Sequence, residues 1–265
     1  MLTKLMKHEF KATYRTFLPI YIGLTLITTL ACIGSQVMRN YNNNPILEIA
    51  LGLGIIIVVL SYIFVFVSPY IFLSLRFYRT TATREAYLTF TVPADTKTIL
   101  FAKFIVTFLW TVLTSLLWIA SFLIFIECVT DGQADFTYFF SENETIIWQI
   151  LTMVFGFAAN ILMIFTAVCL SQLVRDHRVI ASIGFYAAIY TVQQIISIIA
   201  LIPFMIKTMD LFSEVETQMN EAAIQADLMN EQLPVYLLTI GLSLGMSVAM
   251  FFLSNYMWKK KLNLL

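Results

Sequence analysis

The residues able to do chemistry in this chain are few. It has two histidines, His8 and His177, and three cysteines, Cys32, Cys128 and Cys169. Neither set has the spacing of a metal or redox site, and an odd cysteine count builds no closed disulfide framework. No G-x-x-x-x-G-K-[ST] phosphate loop and no H-E-x-x-H pair occurs, so the sequence offers no ATP site of that kind and no set for an intramembrane metalloprotease. No cofactor is expected. What remains is neutral and polar. Tyr186, Tyr190, Gln193 and Ser197 share one helical face, and Asn160 lies in the preceding apolar run. Thr107, Thr111, Thr114 and Ser115 lie with Trp110 and Trp118 in an earlier run. Such residues either join helices through modest hydrogen bonds or line a path for a polar substrate. With no buried Asp, Glu, Lys or Arg expected in the spans, a proton- or sodium-coupled carrier is disfavoured.

The elements that must carry these residues are set by composition. Of 265 residues, 60% are hydrophobic and 12% charged; soluble domains have about half and about a quarter, respectively. A membrane-crossing helix takes about 20 apolar residues. Six stretches qualify, at about 17–38, 49–75, 99–126, 146–174, 179–206 and 234–258. They are too long and too continuously apolar for barrel strands. The expected fold is therefore all-α and polytopic, with six transmembrane helices over 17–258. The first apolar run follows an amphipathic stretch, which reads as an uncleaved anchor rather than a signal peptide.

Lys and Arg set the orientation. Lys4, Lys7, Lys11, Arg15, Arg76, Arg79, Arg84, Lys97, Lys103, Arg175, Arg178, Lys259, Lys260 and Lys261 fall on one side; Arg39 and Lys207 fall on the other. The outer loops hold Glu127, Asp131, Asp135, Glu142 and Glu144, then Asp210, Glu214, Glu216, Glu221, Asp227 and Glu231. The basic side, with both termini and the 259–265 tail, is expected in the cytoplasm.

Three extramembrane segments have structure of their own. In residues 1–16, Leu2, Leu5, Met6, Phe10 and Tyr14 recur at helical spacing, continued by Phe17, with the basic residues, His8 and Glu9 between them. That is either an interfacial elbow helix lying apolar face down in the headgroups, or a basic flank that only sets topology. Pro19 allows a change of direction after it. The longest cytoplasmic connection, Arg76–Lys103, accommodates a short helix over 83–90. Pro93 stops it, and Asp95 or Thr96 caps the third span. Arg84, Glu85, Tyr87, Leu88 and Phe90 there form either a docking surface for a cytosolic protein or a solvated loop. In the last outer loop, Val215, Met219, Ala222, Ala226, Met229 and Leu233 predict an amphipathic helix, as a lid, a partner contact or a spacer.

Two of these segments carry a resemblance. MLTKLMKHEFKATYRTFLPIY and REAYLTFTVPADTKTILFAK resemble the opening and the lead into the third span of type-2 ABC transporter permeases, the small six-span permeases of Gram-positive bacteria. The six-span plan covers the whole chain and the two motifs about a sixth of it. The resemblance implies a plasma-membrane exporter subunit that is not itself an enzyme, powered by a cytosolic ABC ATPase subunit. It implies a second permease chain, homo- or heterodimeric, within membrane lipid, and no nucleic-acid partner. It places ATPase coupling at residues 2–16 and 83–92, and an outer helical element at 209–231. The alternative from the same residues is a membrane-embedded adaptor or sensor that anchors a cytosolic partner without transporting.

Overall fold

The computed structural model describes residues 2–40, 45–83, 86, 95–130, 146–174, 177–215 and 221–260. Helices α1 (Leu2–Asn40), α2 (Pro45–Ala82), α3 (Thr96–Thr130), α4 (Ile146–Ser171), α5 (Arg178–Val215) and α6 (Glu221–Lys260) follow in order. There is no strand among the described residues. All six are long and apolar enough to cross a membrane, so the chain is an all-α, multi-pass membrane protein. Five of them have 35 to 40 residues. At 1.5 Å per residue that is about 50–60 Å, well beyond the roughly 30 Å of hydrocarbon, so these helices run past the headgroups.

The chain divides into two compact units, Met1–Arg76 with Pro93–Phe139, and Phe77–Val92 with Phe140–Leu265. In the first, α1 packs along α3. Phe17, Leu73, Val106 and Trp110 form one buried cluster, and Leu24, Val58, Tyr62 and Val65 another. Tyr62 fixes the second, donating to the Ser121 carbonyl at 3.0 Å, while Trp118 Nε1 donates to the Tyr62 carbonyl at 3.0 Å.

In the second unit, α4 packs on both α5 and α6. The α4–α6 seam uses small and hydroxyl side chains, which let helix backbones approach closely in lipid. Ser243, Ser247 and Ser254 are buried on α6. The Thr166 hydroxyl lies 2.9 Å from Ser254 Oγ and 3.1 Å from the Met250 carbonyl. Phe77 stacks on Phe165, ring centroids 3.8 Å apart.

Two boundaries differ from the sequence reading. Residues 1–16 are not a separate helix: α1 runs without a break through Pro19, which sits inside it. Tight packing of α1 on α3 favours a continuous rod over a turn into the headgroups. The helical outer element falls on the end of α5 and the start of α6; residues 216–220 lie outside the described residues, as do the side chains of the proposed amphipathic face from Val215 to Met229. The expected cap is Asp95, whose carbonyl accepts from Thr98 at 2.9 Å and Ile99 at 3.2 Å, as an N-cap residue's carbonyl does.

Candidate functional site

The neutral polar stripe lies on α5, where none of the residues from Arg178 to Lys207 is fully buried. Its residues follow four, three and four apart, so one helix face carries them all. Tyr186 donates its hydroxyl to Asn160 Oδ1 on α4, a long bond of 3.5 Å. The rings of Tyr186 and Tyr190 stack with centroids 6.2 Å apart. One turn further, Gln193 Oε1 is buried and accepts no hydrogen bond among the described residues. Ser197 is half-buried at the end of the stripe. The structure thus joins Asn160, Tyr186 and Tyr190 and extends them along α5 to an unsatisfied amide oxygen. An amide left this way costs about 1–3 kcal/mol. An unionised row of donors and acceptors suits reversible hydrogen bonding to a polar or amphipathic molecule; it holds no nucleophile–base pair and no metal-binding group is found among the described residues.

The other proposed site residues, Arg84, Glu85, Tyr87, Leu88 and Phe90, lie outside the described residues. Beside them, Thr83 caps the end of α2, its hydroxyl donating to the Arg79 carbonyl at 2.6 Å. Ala86 is buried, with its amide 2.9 Å from the Thr83 carbonyl.

A third group was not singled out by the sequence. Glu9 of α1 accepts from Arg76 Nε at 3.0 Å and from the Arg76 guanidinium at 2.9 Å through Oε2, and from Lys103 Nζ at 2.7 Å through Oε1. The Lys103 side chain is only 7% exposed. Lys103, near the start of α3 and at the boundary of the connection Arg76–Lys103, is thus a buried charge, and the carboxylate of Glu9 compensates it. One turn further along α1 and two along α3, Trp110 Nε1 donates to Thr13 Oγ1 at 2.7 Å. Its ring lies between Phe10 and Phe17, centroids 4.7 and 4.8 Å away. The inward stripe of α1 is thus Met6, Glu9, Thr13 and Phe17. Phe10 and Tyr14, assigned to one apolar face with Phe17, keep 40% and 46% of their surface exposed. The available signal was Glu9 itself, a lone acid among four cations.

Fold and site define a six-helix membrane protein with a neutral polar stripe on one span and a compensated charge cluster at the end of its first unit that holds the α1 N-terminus. Comparison with protein-family models, with curated proteins and with solved structures finds no match.

Proposed function

We propose that the chain is the membrane-spanning permease subunit of an ATP-driven, ABC-type exporter in a bacterial plasma membrane, with both termini cytoplasmic. The observation that carries the reading is the α5 stripe: four polar, uncharged residues on one face of a span without a buried residue, among them Gln193 with an unsatisfied side-chain oxygen. A stripe of that kind loses its cost when a second permease chain or a polar substrate supplies the missing donors. It contains no ionisable carboxylate or amine through which a proton or sodium gradient can act, which favours a driving force supplied by a partner. The resemblance of residues 1–21 and 84–103 to type-2 ABC permeases makes that partner a cytosolic ATPase.

The test is Gln193→Leu in chain purified with its ATPase and reconstituted. Substrate-stimulated hydrolysis and export fall about tenfold, the equivalent of one lost hydrogen bond to substrate of about 1.4 kcal/mol, while protein abundance and melting temperature hold. If abundance or melting falls and activity per folded molecule stays constant, the stripe only joins helices. If no ATPase co-purifies, the chain is an adaptor rather than a permease.

A further inference from the structure

Cys32 and Cys128 stand 96 positions apart in the sequence, and the fold brings them together. Both are half-buried, whereas Cys169 is fully buried in the other unit. The Cys128 thiol is the side chain that acts on the Cys32 thiol through hydrogen bonding and charge. Ser35 clips the two backbones beside them, its hydroxyl 2.8 Å from the Cys32 carbonyl and 3.3 Å from the Cys128 carbonyl. The two carbonyl oxygens therefore lie within about 6 Å of each other, so the backbones of α1 and α3 come close beside the two cysteines. A cavity of about 300 Å³ is lined by sequence neighbours of the two cysteines, Ala31, Gly34, Ser35 and Val129 among others.

Helix length places the pair along the membrane normal. Cys128 is 25 residues beyond Lys103 on α3, and Cys32 is 23 beyond Glu9 on α1. At 1.5 Å per residue these are about 38 and 35 Å, more than the roughly 30 Å of hydrocarbon even with ordinary tilt. The thiols sit at the interface opposite the charge cluster. On the orientation given under "Proposed function", on which this clause rests, that is the outer face, where disulfides persist.

We propose that Cys32 and Cys128 are a redox-responsive dithiol, and that a disulfide-class oxidant outside the cell closes it into a bond between α1 and α3. One thiolate attacks a sulfur of the oxidant R–S–S–R, forming a mixed disulfide and releasing RS⁻. The second thiolate attacks the protein sulfur of that mixed disulfide and releases the second RS⁻. The two cysteine protons end on the two leaving thiolates, so two cysteine thiols and one R–S–S–R give one protein disulfide and two R–SH. Closed, the bond holds α1 to α3 at one end while Glu9, Arg76 and Lys103 hold them at the other, and relative sliding of the two helices stops. A thiol reductant outside the cell reverses it.

The experiment treats the full chain with oxidised glutathione, once purified in detergent and once on intact expressing cells, then alkylates and maps peptides by mass spectrometry. In detergent the expected product is a Cys32–Cys128 linked peptide two hydrogens lighter than the reduced pair, with Cys169 as the remaining alkylated thiol. The Cys128→Ser variant instead keeps one glutathione on Cys32. The same linked peptide forms on cells, since oxidised glutathione does not cross the membrane. Absence of the linked peptide in detergent, or linkage of Cys32 to Cys169 or to Cys32 of another chain, overturns the pair and leaves the proposed orientation standing. Closure in detergent without closure on cells overturns the outer-face switch and the orientation with it.

Discussion

Glu9 is shared between two cations of unequal burial, and the inequality decides what its charge contributes. Arg76 keeps 30% of its side chain exposed, so water screens its half of the contact; Lys103 keeps 7%. Removing one member of a buried pair costs about 3–5 kcal/mol, mostly through the charge left in a poor solvent, while replacing both by apolar or neutral groups is close to neutral. Glu9→Gln is expected to destabilise the detergent-solubilised chain by about 3 kcal/mol, the lower end of that range. Lys103→Met placed on top restores most of it. A double-mutant cycle on denaturant or thermal unfolding reads the coupling. A value under about 0.5 kcal/mol means that Glu9 and Lys103 act independently and the cluster does not anchor α1.

At the scale of the helix, that cluster and the Phe10–Trp110–Phe17 stack turn the first segment of α1 into a part of the α1–α3 pair. Six apolar runs were enough to read all six helices, because length and continuity of hydrophobicity follow directly from the thickness of the bilayer. The inward face of α1 was not legible. Hydrophobic periodicity groups Phe10 and Tyr14 with Phe17 on one apolar face, yet in lipid the apolar side chains are already well solvated, and helix contact is governed by polar pairing and close packing. Glu9 and Thr13 therefore take the inside. The α5 stripe was legible as a stripe, since i, i+4, i+7 spacing needs no partner; that Tyr186 meets Asn160 of α4 needed the packing. A clamped α1 moves with α3, and α3 begins just after the segment with Arg84, Glu85, Tyr87, Leu88 and Phe90. Tyr87→Ala with Leu88→Ala is expected to weaken ATPase binding by about 2 kcal/mol or more if these side chains anchor that interface. Hydrolysis then no longer drives export, although melting is unchanged. Asn42→Ala with Asn43→Ala, which follow α1 in the sequence, has no effect. Normal transport by the Tyr87/Leu88 variant removes 83–92 as the coupling element.

For the molecule as a whole, orientation is the property on which coupling, export direction and the chemistry at Cys32 and Cys128 all depend. It is carried by charge asymmetry. With six spans crossing in alternation, 14 of the 16 Lys and Arg are expected on the side of the α1 N-terminus, and Arg39 and Lys207 on the other; the positive-inside rule counts residues within short loops of the spans rather than net charge. The acids of 131–144 and 210–231 reinforce the pattern without setting it. Residues 131–144 and 208–231 are therefore expected outside, and 78–97 and 259–265 inside. The check is a background with Cys32, Cys128 and Cys169 replaced by Ser, carrying either Phe90→Cys or Asn220→Cys. A membrane-impermeant maleimide added to intact cells labels position 220, and position 90 only after the cells are opened. Labelling of 90 but not 220 on intact cells inverts the molecule. The ATPase surface would then face away from ATP, and the permease reading would fail along with the outer-face location of the thiol pair. Labelling of both positions would mean an even number of crossings between them, so that at least one of α3, α4 or α5 does not span the bilayer.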